Sequence, residues 1–266
     1  MKKQILVALM VIFSFNSYAQ IIFEKGYFIS DSGDKTVCLI KNIDWANNPT
    51  EFKYKISENS EVKEETINSV KEFGISNTSK YVRFSVKIDR SKSSSTEDEL
   101  SFNKEPEFSE ETLFLKTLVE GKATLYAYED TNLYRYFYSV NNSAVEQLIF
   151  KSYQIRSTST GEYINTFTSG IVHTYIGNNH KYKQQLWENF KCGSITRTNI
   201  RKIAYIKSDL IKFFVKYNTC EKSEYTNYEK NKKSGSINLY VRPGLNYSSL
   251  SMQSLAQLNN SKNYCV

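Results

Sequence analysis

The chain has 266 residues, with a formal net charge of +7, 40% hydrophobic residues and 24% charged residues. These values are ordinary for a globular protein and exclude a chain too polar to bury a core. The chain contains 20 Tyr and 16 Phe but only 10 Gly and 3 Pro, and such a high aromatic content favours β structure.

The first 19 residues have the pattern of a secretory signal peptide. Lys2 and Lys3 give a positive start, residues 5–15 form an apolar run, and Ser17 and Ala19 supply small residues at the positions that a signal peptidase reads. The run is shorter than the ~20 residues that a helix needs to span a bilayer. We therefore predict export and cleavage after Ala19, with no membrane-spanning helix in the remaining chain.

Residues 20–156 are predicted to form an antiparallel β-rich domain. Spacing of three between Ile67, Val70 and Phe73 predicts a short helical turn over 66–73. Tight connections join the last four predicted strands, which therefore form a meander. Eight segments are predicted to be strands, 21–29, 36–43, 51–56, 81–88, 113–119, 123–129, 133–140 and 148–155. The polar, acidic stretch 91–111 between them reads as a loop whose role the sequence leaves open.

One predicted strand carries tyrosines on a single face. Leu125 and Ala127 alternate with Tyr126 and Tyr128, so small apolar side chains lie on one side of the sheet and tyrosines on the other. Such a face stacks on a glycan or a peptide, or it simply covers the sheet. Both interpretations stay open at this point.

Residues 157–233 are predicted to be a basic helical unit followed by a linker. Asn178 or Asn179 caps a helix through KYKQQLWENFKC, and a second helix covers 199–217. The segment 180–233 holds 13 Lys and Arg against 5 Asp and Glu, whereas 20–179 holds 18 against 23. An anionic membrane surface is the simplest partner for this charge, and nucleic acid is not expected for an exported protein. The inner face of the first helix is predicted from Tyr182, Leu186, Trp187 and Phe190.

The cysteines suit an oxidising compartment. Cys192 and Cys220 each follow a predicted helix and bracket one compact unit, so we predict a disulfide between them. Cys38 lies within an apolar strand and is predicted to be a buried free thiol.

Residues 234–266 contain a segment with the pattern of a membrane strand. The stretch 237–247 reads INLYVRPGLNY, with the strand period and about the 9–11 residues that such a strand needs. We expect the first strand and the start of a truncated outer-membrane β-barrel here. Its predicted membrane face consists of Ile237, Leu239, Val241, Leu245 and Tyr247.

Signatures of catalysis are missing from the sequence. It lacks the P-loop pattern, the H-E-x-x-H zinc motif and the G-x-S-x-G nucleophile motif. His173 and His180 have no Cys or acidic residue spaced to complete a metal site. We expect a protein that is not an enzyme and that uses no cofactor, metal or nucleotide.

The signal peptide, the aromatic β domain, the basic YKQQLW and KFFVKYNTC helices and INLYVRPGLNYSSLSM together carry a family resemblance. The chain resembles the N-terminal periplasmic portion of Bacteroidetes-type outer-membrane β-barrel proteins, which are porin-like and of unassigned function. The resemblance implies a place in the cell envelope and no particular reaction. The resemblance breaks down at the end of the chain, where the sequence has one candidate strand, whereas a closed barrel needs eight or more. Either the barrel is truncated, or 237–247 pairs with the preceding domain.

The leading functional expectation is a non-enzymatic envelope protein with a binding or structural role. Its partners would be the outer membrane or its periplasmic surface, and an envelope protein or a glycan. The alternative is a soluble secreted binding module that recognises a glycan or a peptide through the tyrosine-rich sheet face. A secreted hydrolase without a recognisable motif is the third and least favoured class.

Overall fold

The computed structural model describes residues 23–92, 100–158 and 172–230, which form an α+β fold dominated by antiparallel strands. This confirms the predicted fold class. The predicted signal peptide and the predicted barrel strand, with Ile237, Leu239, Val241, Leu245 and Tyr247, lie outside these ranges. No helix within the described ranges is both long enough and apolar enough to cross a membrane.

The described elements are, in chain order, β1 (Phe23–Ser30), β2 (Lys35–Lys41), β3 (Glu51–Lys55), β4 (Lys63–Thr66), β5 (Val70–Ile75), β6 (Ser79–Asp89), β7 (Phe108–Gly121), β8 (Ala123–Asp130), β9 (Leu133–Val140), β10 (Glu146–Gln147), β11 (Lys151–Thr158), β12 (Val172–Asn179), α1 (Lys181–Asn189), α2 (Arg197–Arg201), α3 (Lys207–Cys220) and β13 (Tyr225–Asn227).

Most strands belong to one open antiparallel sheet with the order β10-β9-β8-β7-β6-β5-β1-β2-β3-β4. The neighbours β7, β8 and β9 confirm the predicted meander. The pairing predicted for the fourth strand, 148–155, is wrong, because the described strand that pairs with the free edge of β9 is the short β10. The chain then leaves the sheet, and β11 pairs with β12 in a separate two-stranded sheet. The domain boundary predicted after residue 156 falls inside β11.

The helical turn predicted over 66–73 is also wrong, because this segment ends β4, turns and begins β5. The pairing of β1 with β5 shifts between Ile29 and Ser30, so one extra residue lies in β5. A β-bulge of this kind brings two positions three apart onto one face. Val70 and Phe73 are accordingly both buried in the same cluster, and their spacing imitates a helix.

The helices cover one face of the sheet around β7, β8 and β9. Leu125 and Ala127 point into this layer, as the alternation in β8 predicts. Burying each large apolar side chain contributes roughly 1.5–3 kcal/mol, so this layer is a main source of stability. The buried residues that the helices add to it are Tyr182, Leu186, Phe190, Ile195, Ile200, Leu210, Phe213, Phe214 and Tyr217.

The single helix predicted over 199–217 is divided into α2 and α3. Between them the ring of Tyr205 turns inward and stacks on Phe150 at 4.9 Å between ring centroids. Its hydroxyl donates to the carbonyl of Leu148 at 2.8 Å, and the backbone N–H of Tyr136 donates to that hydroxyl at 3.2 Å. These tertiary contacts interrupt the helical period.

A chain of polar contacts ties β13 to the sheet. Tyr27 Oη donates to Glu72 at 2.6 Å, and Lys80 Nζ lies 3.3 Å from Glu72 and 2.8 Å from Glu120. Tyr228 Oη donates to the other carboxylate oxygen of Glu120 at 2.7 Å. Burial acts to raise the pKa of the Glu120 carboxyl, but the hydrogen bonds from Lys80 and Tyr228 outweigh it and lower that pKa.

Acid is expected to remove the stabilisation that Glu120 provides. Its carboxyl has a lower pKa in the folded state, so the contribution is complete above the unfolded pKa and is lost as the pH falls through the folded one. Glu120→Gln should therefore lower the urea midpoint of unfolding at pH 7. The difference in midpoint between the variant and the parent protein should become smaller below about pH 4. An equal difference in midpoint at pH 7 and at the acidic pH would contradict a stabilising role for the ionised Glu120 carboxylate.

Candidate functional site

The predicted disulfide lies at the end of the helical layer. The Sγ atoms of Cys192 and Cys220 are at bonding distance, and their Cα atoms are 6.5 Å apart, within the usual range for a disulfide. The 28-residue separation corresponds to roughly 3–4 kcal/mol in the chain-entropy description. Cys38 is a buried free thiol, and burial raises its pKa to about 11, which keeps it protonated and unreactive.

The tyrosine face of β8 is largely closed to ligands. Tyr126 and Tyr128 are each only 8% exposed. The ring of Tyr126 meets Phe84 edge-on at 5.2 Å, and the guanidinium of Arg90 lies 4.8 Å from the centroid of the Tyr128 ring. Neighbouring side chains thus occupy the space that a stacking glycan or peptide would need.

The most distinctive surface surrounds Trp187. This side chain is predicted to lie on the inner face of its helix, but it lies at the margin of the helical layer and is only partly buried. Lys191 Nζ lies over its ring at 4.1 Å from the centroid, and Arg197 Cζ lies at 4.9 Å. Both distances fall within the range of cation–π attraction. A shallow concavity of about 400 Å³ opens beside the ring and is lined by Trp187, Phe190, Lys191, Cys192, Gly193 and Ile195.

Two more lysines flank the same surface by touching α2. Lys183 Nζ donates to the carbonyl of Arg201 at 2.7 Å, and Lys216 Nζ donates to Asn199 Oδ1 at 3.4 Å. Together with Trp187, these cations form the α2 basic surface, which consists of Trp187, Lys183, Lys191, Arg197, Arg201 and Lys216.

Local structure holds α2 in place. Thr196 Oγ1 accepts a hydrogen bond from the N–H of Asn199, whose side chain accepts one from the N–H of Thr196, so the two form a capping box. Ile200 is buried in the helical layer and anchors the opposite side of the helix. A five-residue helix would not be stable alone, so these contacts and the disulfide position its basic side chains.

The cations of the α2 basic surface have no ion-pair partner among the described residues. Two other basic side chains near the helices are neutralised, Lys207 by Glu129 at 2.6 Å and Lys122 by Glu221. The uncompensated cluster therefore produces a local positive potential. Cations around an aromatic ring supply contacts to phosphate or another anion.

Groups suited to acid–base or metal chemistry are sparse near this surface. His180 precedes α1, and burial followed by the charge of Lys183 lowers the pKa of its imidazole. Within the described ranges, no three His, Cys, Asp or Glu side chains are grouped as a metal site requires.

The sequence predicted the positive charge of this region but not the clustering of basic side chains around Trp187. Lys191 follows Trp187 by four residues, a spacing that brings two side chains together on the helix predicted through KYKQQLWENFKC, so this signal was available although α1 itself ends at Asn189. Arg197 reaches the ring only because the chain reverses between α1 and α2, which the sequence pattern does not reveal.

No protein-family model matches the chain, and no curated protein or solved structure matches it either.

Proposed function

We propose that this protein is a non-enzymatic cell-envelope protein whose α2 basic surface docks onto anionic lipid headgroups at a membrane surface. The observation that carries the proposal is the cluster of uncompensated cations around a partly exposed tryptophan. The signal-peptide pattern in residues 1–19 and the membrane-strand pattern in 237–247 also support an envelope location, with the periplasmic face of the outer membrane as the proposed site.

The physical basis is a combination of charge and amphipathic shape. Each Lys or Arg near an anionic membrane contributes about 1 kcal/mol of attraction. Tryptophan favours the headgroup level, where its ring is partly buried and its N–H stays hydrated. The cations of Lys191 and Arg197 lie over the ring of Trp187, so both contributions act at one place.

Removing three of these charges is expected to weaken vesicle binding by about two orders of magnitude, since about 3 kcal/mol of attraction is lost. The variant is Lys191→Gln, Arg197→Gln and Arg201→Gln in the full chain. Sedimentation with vesicles of phosphatidylglycerol and phosphatidylcholine at low salt measures the partition coefficient, and vesicles of phosphatidylcholine alone give the baseline.

The matched control removes the same charge from exposed lysines outside the helical layer, through Lys63→Gln, Lys71→Gln and Lys87→Gln. It is expected to bind anionic vesicles nearly as well as the parent. Equal losses in the two triple variants would show that net charge alone acts and would overturn the docking surface.

Fluorescence gives a local measurement of the same contact. The chain has two tryptophans, and Trp45 packs in the N-terminal core against Phe73 and Tyr81. In a Trp45→Phe background, emission from Trp187 should shift to the blue on addition of anionic vesicles. An unchanged spectrum with sedimenting protein would place the contact elsewhere.

The glycan or peptide module is the weaker alternative, because the rings of Tyr126 and Tyr128 are packed against neighbours. Its signature would be binding to a glycan or peptide array that Tyr126→Phe and Tyr128→Phe reduce, together with no preference for anionic vesicles.

A further inference from the structure

The strands β1, β2 and β3 have an outward face that does not take part in the N-terminal core. Phe28 on β1 and Cys38 and Ile40 on β2 are buried in that core. Because side chains alternate along a strand, the odd-numbered positions of these strands point to the opposite face of the sheet. This outward face is accessible, since Val37 near its centre is 74% exposed.

Four lysines lie on the outward face. Lys25 on β1 and Lys55 on β3 are both paired with Leu39 of β2, so they lie on either side of that strand. Lys35 and Lys41 lie at the two ends of β2, which places their Cα atoms about 20 Å apart. None of the four lysines forms an ion pair with a described residue, so together they produce a positive potential along the strands.

Two aromatic rings lie beneath these lysines. Lys35 Nζ is 4.2 Å from the centroid of the Tyr27 ring, and Lys55 Nζ is 5.0 Å from the centroid of the Phe23 ring. Cation–π attraction at these distances restricts the lysine side chains and so lowers the entropy cost of holding them against an anion.

These cations and rings make one continuous basic and apolar surface. The β1–β3 basic strip consists of Lys25, Lys35, Lys41, Lys55, Phe23 and Tyr27.

Carboxylates border the strip on both sides. On β5, Glu72 is opposite Ile29 and accepts a hydrogen bond from Tyr27. On β4, Glu64 is opposite Lys53 and forms an ion pair with it at 3.5 Å. The three strands between these borders are separated by two strand spacings, about 10 Å in total. An anionic bilayer would extend over both acidic borders, whereas a single polymer chain fits between them.

We infer that the β1–β3 basic strip binds an acidic polysaccharide, a linear chain of sugars that carries carboxylate or sulfate groups. The anionic groups meet the lysine ammonium groups, and the C–H faces of the sugar rings pack against Tyr27, Phe23 and Val37. A flat strip about 20 Å long and about 10 Å wide suits an extended ligand, whereas a small molecule needs a concave pocket. The signal-peptide pattern in residues 1–19 supports this class of ligand, because polysaccharides are the common anionic polymers outside the cell membrane.

This inference goes beyond the proposed function and concerns a different surface. Fluorescence anisotropy with labelled polygalacturonate at low salt should show saturable binding to the full chain, and labelled dextran, which is neutral, should not bind. The strip variant, Lys25→Gln with Lys35→Gln and Lys41→Gln, should bind polygalacturonate about tenfold more weakly or worse, since three charge contacts are lost. Replacing the same three lysines by arginine should preserve the binding, because the charges are kept.

The matched control is again the variant with Lys63→Gln, Lys71→Gln and Lys87→Gln, which should bind polygalacturonate nearly as well as the parent. Circular dichroism should show that all variants stay folded. A parent that does not bind, or equal losses in the two lysine-to-glutamine variants, would overturn the inference. Equally tight binding of polyglutamate would show that any polyanion suffices and would overturn the assignment to a polysaccharide.

Vesicle sedimentation separates this inference from the proposed function. The strip variant should still sediment with anionic vesicles, and the triple variant of the α2 basic surface should keep its affinity for polygalacturonate. If the strip variant instead loses vesicle binding and keeps polygalacturonate binding, the strip contacts a membrane and the inference is wrong.

Discussion

Replacing Phe190 by alanine is expected to lower the free energy of unfolding by about 3–5 kcal/mol. The Phe190 ring is 1% exposed and meets four other rings at centroid distances of 5.1–5.5 Å. It joins α1, α3 and β9, and alanine would leave a cavity that these elements cannot all close. The four rings belong to Tyr138, Phe213, Phe214 and Tyr217.

Urea unfolding followed by circular dichroism measures this change. Phe108→Ala is the matched control, since the side chain is 44% exposed at the start of β7. It should cost less than about 1 kcal/mol, because little apolar area leaves the core. Similar losses for the two variants would refute the position of Phe190 at the centre of the helical layer.

Asp89→Ala is expected to destabilise the protein by a similar amount, about 3–5 kcal/mol, because it removes one partner of a buried ion pair. Asp89 and Arg135 are both almost completely buried, with 3.9 Å between Asp89 Oδ2 and Arg135 Nη2. Arg135 Nε also donates to the carbonyl of Asp89 at 2.7 Å. Asp89 Oδ1 accepts hydrogen bonds from Ser91 and from the N–H of Glu107, so the loop before β7 depends on the same carboxylate.

The pair of Arg83 with Asp31 provides the control, because the Asp31 side chain is half exposed. Asp31→Ala should cost no more than about 1 kcal/mol. A double-mutant cycle of Asp89→Ala with Arg135→Met should give a coupling energy of about 0.5–3 kcal/mol. A coupling energy near zero would mean that Asp89 acts through its backbone contacts and not through its charge.

The fold class could be predicted because the β strands carry their own signal. In β8 small apolar residues and tyrosines alternate strictly, and the structure places Leu125 and Ala127 under the helices with Tyr126 and Tyr128 on the other face. The helical turn predicted over 66–73 was wrong, because a β-bulge shifts the alternation of the strand by one residue and produces a three-residue spacing. A bulge depends on the partner strand, and the local pattern does not contain that information.

Tertiary contacts explain the other differences. Tyr205 breaks the helical pattern by stacking within the core, and Lys151 begins a strand whose partner lies beyond residue 171. The basic charge of the candidate site was visible in the sequence. Its arrangement around Trp187 depends on the reversal that brings Arg197 back to α1, and this is a property of the folded chain.

The position of β13 has a consequence for how the protein folds. β13 pairs with the last residues of β7, and Tyr228 contacts Glu120 across a separation of 108 residues. This edge of β7 is thus completed only after the helices have been synthesised and have returned the chain to the sheet. Pairing across such separations has a high loop-closure cost, which places the chain among slowly folding topologies, on the order of milliseconds to seconds or longer. Late completion of β7 would keep the nascent chain in an incompletely folded state until nearly all of the described residues have emerged.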